Sequence, residues 1–375
     1  MKYFIDSMAL FATLQSGLGP RRRCLSARSR CPDGAAVNMT ITRSSQNPIV
    51  TPGGEDWRKV ATFNPGVIFD NGKYYLYERV AGSLRPFQTC IGLQVSEDGV
   101  HFELASAKPV WTGEMCGFSQ GSVEDARVTK IDGKFLMVYA MQPYKFDCWP
   151  TGIAVPDYYP NHYPEWEETR TAPMITRSGI AESYDGIHFK QLCWTTPAEI
   201  DDRDNALFPE KLNGRYGLLR RPMQFVGPKY GAPSPGIWFS CSENLLKWCD
   251  PRLVAITEQP NWEGTKIGAA ATPLKTDEGW LVLYHGVDAN SIYRVGCMML
   301  DLNDPTKVIG RTKNPIMEPT EYYEKYGLVI PNVVFPTANV IVGDEVWIYY
   351  GCCDTCIGLA TVKLDELIRT TMNRK

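Results

Sequence analysis

Short runs of apolar and aromatic residues recur along most of this chain, and a glycine turn separates the runs of each pair. Apolar positions in runs of this length predict β-strands, and no long stretch with the 3.6-residue period of a helix competes with them. The turn glycines are Gly72, Gly133, Gly214, Gly279 and Gly343. The strand–turn–strand units that contain them are Phe63–Arg79, Glu124–Ala140, Ala206–Pro222, Gly268–Gly286 and Phe335–Gly351.

A third apolar run follows each unit, so the repeat predicts blades of three or four antiparallel strands. Such units cannot bury both faces alone and must stack on their neighbours. An all-β fold, a five-bladed β-propeller with little helix, is the closed arrangement that satisfies this requirement. The third runs are Cys90–Glu103, Ser178–Lys190, Gly236–Trp248, Arg294–Pro305 and Cys356–Leu367.

Propeller geometry predicts that residues before the first strand and after the second strand of each blade meet on one face, near the axis. Those positions are rich in charged and amide side chains, whereas the turns on the far face carry ordinary Asp-Gly and Asn-Gly pairs. This asymmetry predicts a polar small-molecule site on one face. The converging residues include Asn64, Arg79, Glu124, Asp125, Arg203, Asp204, Arg221, Lys266, His285 and Asp354.

Besides Arg79, four of these side chains carry or can carry positive charge, and this cluster favours binding of an oxyanion, phosphate above all. They are Arg203, Arg221, Lys266 and His285. The alternative is that they only neutralise nearby carboxylates, with Glu124, Glu210 and Asp202 as candidates. Asp125 is the best candidate acid, and no second carboxylate is an obvious base, although a glycosidase normally needs two. If phosphate is the nucleophile, no catalytic base is needed, because the anion attacks directly.

Composition narrows the class of protein further. Hydrophobic residues make up 44% and charged residues 22% of the 375 residues, as in a globular protein. A net charge of −3 argues against a general nucleic-acid binder. The 12 cysteines are scattered and lie mostly in apolar runs, which favours free thiols and a cytoplasmic location. The four histidines are widely spread and predict no metal site.

Two segments stand outside the repeat. Residues 1–46 are expected to form a basic, disordered N-terminal extension with a weak chance of a targeting role, and 47–375 a single catalytic propeller domain. Met141–Thr176 is far longer than a usual hairpin loop. This segment is expected to be either a lid that stacks aromatic rings on a sugar or a surface loop that packs on its own aromatic residues. The rings are Trp149, Tyr158, Tyr159 and Trp166.

Motifs in all five units, in order, resemble glycoside hydrolase family 130, the β-mannoside phosphorylases, over about Asn47 to Leu367. The related glycosyltransferase family 108, mannosyltransferase–phosphorylases of β-1,2-mannan, shares the plan. Ala126 stands where the family usually has Pro, and Arg220 where it usually has His. The motifs are FNPG at 63–66, EDAR at 124–127, LFPEK at 207–211, RRP at 220–222, KIGA at 266–269, YHGV at 284–287, LDLNDP at 300–305 and IPNVVFPT at 330–337.

The resemblance implies a role for each matching residue. Asp125 matches the general acid, which protonates the glycosidic oxygen through the 3-hydroxyl of the sugar. Asn64, Arg79 and Asp354 match positions that hold the terminal mannose. The phosphate cradle corresponds to Arg203, Arg221, Lys266 and His285, with Tyr293 near it. Hydrolysing members replace cradle residues with glutamates, so the set retained here implies phosphorolysis.

The hypothesis is an inverting β-mannoside phosphorylase. It would transfer a terminal β-mannosyl unit reversibly between a manno-oligosaccharide and phosphate, giving α-mannose 1-phosphate. No cofactor or metal is expected, and phosphate is the co-substrate. The resemblance to family 108 leaves GDP-mannose open as a donor and synthesis as a β-1,2-mannosyltransferase open as an activity. The alternatives are a β-mannoside hydrolase, in which Glu124 or Glu210 would turn inward, and a non-catalytic sugar-binding propeller.

Overall fold

The glycine turns of the sequence form tight hairpins in the computed structural model, which describes residues 39–84, 86–119, 121–142 and 176–374. Asn71 and Gly72 have φ of 50° and 78°, and Asp132 and Gly133 have 52° and 78°. Positive φ at both central residues gives the two-residue turn that matches the twist of antiparallel strands. The turns join strands β2 (Ala61–Asp70) and β3 (Lys73–Ala81), and strands β6 (Ser122–Ile131) and β7 (Lys134–Gln142).

The strands form five antiparallel sheets, one for each repeat, and the predicted five-bladed β-propeller is confirmed. The first blade adds β4 (Thr89–Ser96) and β5 (Glu103–Leu104) to β2 and β3, and the second adds β8 (Arg177–Ser183) and β9 (Lys190–Trp194) to β6 and β7. The third contains β10 (Asp202–Leu207), β11 (Tyr216–Pro222), β12 (Ile237–Ser242) and β13 (Arg252–Ala255). The fourth contains β14 (Lys266–Ala269), β15 (Leu274–Lys275), β16 (Trp280–Val287), β17 (Tyr293–Leu300) and β18 (Val308–Arg311).

The fifth blade takes its outer strand from the other end of the chain. It contains β19 (Val334–Val342), β20 (Glu345–Cys352) and β21 (Cys356–Lys363), and the two-residue strand β1 (Thr42–Arg43) completes it. Thr42 pairs with Thr361, and Arg43 with Ala360. The propeller therefore begins before the predicted boundary at residue 47. A strand of two residues is too short to show an alternating pattern, so the sequence did not reveal it. Residues 1–38 of the predicted extension lie outside the described residues.

Apolar residues from adjacent blades fill every space between neighbouring sheets. Leu76 of the first blade packs with Tyr349 and Leu359 of the fifth in one buried cluster, and Val138 of the second packs with Leu218 of the third in another. Three further clusters join the first and second, third and fourth, and fourth and fifth blades. The core is thus a set of layers between blades, as the repeat requires.

Helix is scarce in the described ranges, as predicted. Three short α-helices occur there: α1 (Pro260–Glu263), α2 (Tyr322–Lys325) and α3 (Leu364–Thr371). Two single turns of 3₁₀-helix lie at Asp56–Arg58 and Glu114–Cys116. Among the helices of the described ranges, none has the length and apolar character needed to cross a bilayer.

The closing strand is fixed by a buried ion pair. The Nε and Nη2 atoms of Arg43 donate to the two carboxylate oxygens of Glu324 at 2.6 and 3.0 Å, and the Tyr350 hydroxyl donates to the same carboxylate at 2.8 Å. Glu324 is fully buried and the Arg43 side chain is 20% exposed. Loss of the guanidinium would leave a buried carboxylate without its cation.

We therefore expect Arg43→Ala to lower the free energy of unfolding by about 3 kcal/mol, as measured by urea denaturation. The control is Arg369→Ala, which removes a solvent-exposed pair with Asp365 and should cost well under ~1 kcal/mol. Equal losses in the two variants would show that β1 does not close the fifth blade energetically.

Candidate active site

Bulges in the innermost strands of three blades turn polar side chains towards the propeller axis. Asn64 in β2, Asp125 in β6 and Asp204 in β10 have φ of 44°, 53° and 54°. Each lies at a register shift in the pairing with the next strand. Asn and Asp tolerate the left-handed conformation better than most residues, and a bulge re-aims the side chain that it carries. The first three blades therefore present equivalent residues at the centre.

One cavity of about 260 Å³ collects all nine residues that the sequence assigned to the site. They are Asn64, Arg79, Asp125, Arg203, Arg221, Lys266, His285, Tyr293 and Asp354. The cavity also contains Asp204, which was predicted to converge on this face but was given no role, and residues that the sequence pattern did not place there, namely Phe87, Val329, Ile330 and Phe335. Glu124, predicted to converge on this face and considered both as a partner of the cations and as the base of a hydrolase, faces the same cavity.

Arg79 holds the acidic side of the cavity together. Its Nη1 atom donates to Oδ1 of Asp125 at 3.0 Å, and its Nη2 atom donates to Oε1 of Glu124 at 2.7 Å. The amide of Asn64 also donates to Oδ1 of Asp125, at 2.9 Å. Both of these hydrogen bonds to the Asp125 carboxyl group use Oδ1, so neither of them occupies Oδ2.

Burial makes two carboxyl groups beside Asp125 weaker acids than usual. It raises the pKa of Glu124 to about 7, although Arg79 opposes the shift. It also raises the pKa of Asp354 to about 6, again against the effect of Arg79, and the charge of Asp125 acts in the same direction as burial. Since a single guanidinium lies among three carboxyl groups, this side of the cavity retains protons close to neutral pH.

The two arginines of the opposite side have carboxylate partners, but not the predicted ones. The guanidinium of Arg203 donates to both oxygens of Asp201, at 2.9 and 3.0 Å, and Nε of Arg221 donates to Asp204. Asp202 instead pairs with Arg220, and Glu210 with Lys275. The partners were missed because Asp201 and Asp204 sit beside a bulge, where spacing along the strand does not show which side chains meet.

Lys266 and His285 differ from the fixed cations that the sequence suggested. Burial lowers the pKa of Lys266 to about 7, and Arg221 and Arg203 act in the same direction. Burial also lowers the pKa of His285 to about 3, so its imidazole is neutral at neutral pH even though Asp204 lies 3.5 Å away. Both ring nitrogens of His285 lack a hydrogen-bond partner among the described residues. They are thus available to an incoming ligand.

Tyr293 lies against this side of the cavity. Its ring stacks on His285 with centroids 5.9 Å apart, and the Lys266 ammonium lies 5.4 Å from its centroid. The cavity therefore has a carboxylate side around Arg79 and a cationic side around Arg203, Arg221 and Lys266. Residues 143–175 of the predicted lid, Met141–Thr176, lie outside the described residues, and they include all of its aromatic rings.

Comparison with known proteins shows the family to which this chain is similar. A family model described as beta-1,4-mannooligosaccharide phosphorylase, of glycoside hydrolase family 130, matches residues 40–154 and 158–373. A 1,2-beta-oligomannan phosphorylase of Thermoanaerobacter sp. (strain X514) is 33% identical over 336 residues, 88% of this chain and 99% of the relative. A beta-1,2-mannobiose phosphorylase of the same organism is 37% identical over 339 residues, 87% of this chain and 98% of the relative.

A solved structure is similar over the whole propeller. It is the beta-1,2-mannobiose phosphorylase of Listeria innocua in complex with beta-1,2-mannobiose. The TM-score is 0.71 at 26% sequence identity, and the match covers 90% of this chain and all of the other. On the match to the family model and the two relatives of similar length, this chain belongs to glycoside hydrolase family 130.

Proposed function

We propose that this chain is an inverting β-mannoside phosphorylase that acts on β-1,2-linked manno-oligosaccharides. The observation that carries the proposal is the division of one cavity into a carboxylate side around Arg79 and a cationic side around Arg203, Arg221 and Lys266. The two Thermoanaerobacter relatives carry β-1,2 names, which supports this linkage over the β-1,4 linkage in the description of the family model.

The two sides would serve the two halves of the reaction. Asn64, Arg79 and Asp354 would hold the terminal mannose, and the cationic side would hold phosphate beneath its anomeric carbon. A phosphate oxygen forms a bond to that carbon while the glycosidic C–O bond breaks. The proton of Asp125 goes to the departing oxygen, through the 3-hydroxyl of the sugar. In-line attack inverts the configuration and gives α-mannose 1-phosphate.

The charges on the cationic side suit this task. Arg203 and Arg221 each pair with a carboxylate, Asp201 and Asp204 respectively, and both line the cavity beside Lys266. Lys266 has no carboxylate partner within 4.0 Å among the described residues, and bound phosphate would favour its charged form. Phosphate would thus supply the negative charge that this side still lacks.

The same site would also run in the direction of synthesis. Phosphorolysis of a glycosidic bond exchanges one anomeric bond to oxygen for another, so mannose 1-phosphate is a suitable donor for chain extension. We propose that the protein is a hexosyltransferase in this sense, with a mannoside as acceptor. Assays with mannose 1-phosphate and with GDP-mannose as alternative donors would establish which of them it uses.

Hydrolysis is the second candidate because Glu124 does face the cavity, as a hydrolase would require of a base. However, Glu124 and Asp125 bind the same guanidinium and therefore lie on the same side of the site. An inverting glycosidase needs its base across the sugar from the acid, with a water between. The opposite side here carries cations, which favours phosphate as the nucleophile.

Phosphate dependence separates the two activities. With β-1,2-mannobiose as substrate, we expect mannose release only when phosphate is present, with one α-mannose 1-phosphate formed for each mannose released. The products are measured by ion-exchange chromatography, and chloride at equal ionic strength is the control. Release of two mannose molecules per disaccharide without phosphate would establish hydrolysis and overturn the proposal.

Asp125→Asn should abolish phosphorolysis and synthesis together, because the amide preserves shape but cannot supply a proton. General acid catalysis contributes about 10²–10⁴-fold in rate, so kcat should fall by at least about a hundredfold. Thermal unfolding of the variant should match that of the native protein within a few degrees. A variant that keeps more than about a tenth of native kcat would exclude Asp125 from this role.

Two glycines sit where a side chain would enter the cavity walls, one on each side. A Cβ atom at Gly268 would overlap Asp204 and crowd Nε of Arg221 and the ring of His285. A Cβ atom at Gly351 would overlap the side-chain oxygen of Asn64. Neither glycine has a positive φ that a larger residue would avoid, so space alone requires them.

The two glycines give a matched pair of variants. We expect Gly268→Ala to raise the KM for phosphate by about tenfold or more, since hydrogen bonds to charged groups are worth ~1.5–3 kcal/mol. Gly351→Ala should raise the KM for the mannoside by a comparable factor and leave that for phosphate nearly unchanged. Steady-state kinetics with each substrate varied in turn tests both. If each variant weakens both substrates equally, the division of the cavity is wrong.

A further inference from the structure

A loop and a hairpin from different parts of the chain both line the cavity. The hairpin joins β20 to β21 and carries Asp354, and the loop, residues 326–333 between α2 and β19, carries Val329 and Ile330. We propose that Thr355 is a positioning residue whose hydroxyl holds this loop and this hairpin at the spacing that binding of the terminal mannose requires. The inference rests on the proposed function, in which Asp354 holds that sugar.

The hydroxyl of Thr355 makes two hydrogen bonds, one to each part. Its Oγ1 atom accepts a hydrogen bond from the backbone N–H of Leu328 at 2.8 Å and donates one to the backbone carbonyl of Cys353 at 2.8 Å. A hydroxyl can donate and accept at the same time, so both bonds form together. The first bond joins the hairpin to the loop, and the second fixes the turn of the hairpin beside Asp354.

The turn of the hairpin needs such contacts because its backbone is unusual. Cys353 and Asp354 have φ of 48° and 49°, a left-handed conformation that is unfavourable for residues other than glycine. The bond from the Thr355 hydroxyl spans these two residues. The backbone carbonyl of Thr355 also accepts from the N–H of Thr62 at 3.1 Å, two residues before Asn64. Thr355 therefore helps to set where Asp354 lies relative to β2.

The middle of the loop has few other attachments. Both ends of the loop are bound to the last two residues of α2, by backbone hydrogen bonds of 3.0 and 3.2 Å. The bond from Leu328 to Thr355 is the one hydrogen bond that joins residues 327–331 to another part of the described chain. Val329 and Ile330 follow Leu328 directly, so this bond controls how close their side chains lie to the hairpin.

Gly327 shows how closely the loop and the hairpin approach each other. A Cβ atom at this position would overlap the Cβ atom and the carbonyl oxygen of Cys353, as well as Oγ1 of Thr355. The φ of Gly327 is not positive, so lack of space alone requires the glycine.

The spacing matters because the two parts offer a sugar different contacts. Val329 and Ile330 present apolar side chains that suit the C–H groups of a pyranose, whereas the carboxyl group of Asp354 suits its hydroxyl groups. Both kinds of contact reach one sugar ring only if the loop and the hairpin keep their separation. A change in this separation should therefore weaken the mannoside and spare phosphate, which the cationic side of the cavity would bind.

The experiment compares Thr355→Val with Thr355→Ser. A methyl group cannot lie 2.8 Å from a nitrogen and an oxygen, so in Thr355→Val the loop and the hairpin must separate and two backbone groups lose their partner. We expect the KM for β-1,2-mannobiose to rise about tenfold in Thr355→Val and the KM for phosphate to stay within about twofold. Thr355→Ser keeps the hydroxyl and should remain close to the native protein in both. Steady-state kinetics with each substrate varied in turn measures these constants.

Two further variants accompany this pair. Thr276→Val is the matched control, because the Thr276 hydroxyl donates to the carbonyl of Gly279 at 2.8 Å and accepts from its N–H at 3.2 Å in a turn on the far face. It should change neither KM. Gly327→Ala forces the loop away from the hairpin without altering Thr355 and should reproduce the selective rise. If thermal unfolding shows that Thr355→Val has lost the fold, Gly327→Ala decides the question.

A native KM for the mannoside in both Thr355→Val and Gly327→Ala would overturn the inference. So would an equal rise in the KM values for both substrates, which is the result expected of a general loosening of the cavity. A Thr355→Ser variant as weak as Thr355→Val would show that the hydroxyl is not the group that acts. Failure of the proposed function would look different, because the native protein itself would then release no mannose in response to phosphate.

Discussion

Arginine side chains from three blades reach the axis of this propeller. Burying each positive charge there requires a carboxylate partner. Arg79 of the first blade binds Glu124 and Asp125 of the second. Arg127 of the second blade lies 3.5 Å from Asp204 of the third, which also binds Arg221. The ion pairs therefore cross from blade to blade. The contacts that neutralise charge in the interior also hold neighbouring blades in position.

The bulges in β2, β6 and β10 make this network compatible with a well-packed sheet. The outer halves of these strands keep the regular alternation and fill the apolar layers between blades. At the inner ends, left-handed residues break the alternation and place amide and carboxylate groups at the axis. Each strand thus contributes apolar side chains to the core along its outer part and polar side chains to the cavity at its inner end. The bulge lies between the two parts.

Much of this organisation follows from the sequence, because a repeat of glycine turns and apolar runs is compatible with few closed architectures. Predicting which strand ends converge was enough to bring nine residues to one cavity. The pairing of those residues was harder to predict. The inward position of Glu124 depends on a bulge that reverses the expected alternation, and His285 carries a neutral ring because its burial outweighs the nearby Asp204. The two-residue strand β1 was missed because it forms only through its contact with β21.

The seam between the first and fifth blades joins residues that are distant in the chain and are synthesised far apart in time. Within the fifth blade itself Thr42 pairs with Thr361, and the closure of so long a loop is entropically costly and slow. The carboxylate side of the cavity straddles this seam, since Asn64 and Arg79 come from the first blade and Asp354 from the last hairpin. This side of the cavity is therefore complete only after almost the whole propeller has been synthesised. A nascent chain that stops short of the last blade carries Asp125 and the whole cationic side, yet it lacks Asp354 and therefore part of the carboxylate side.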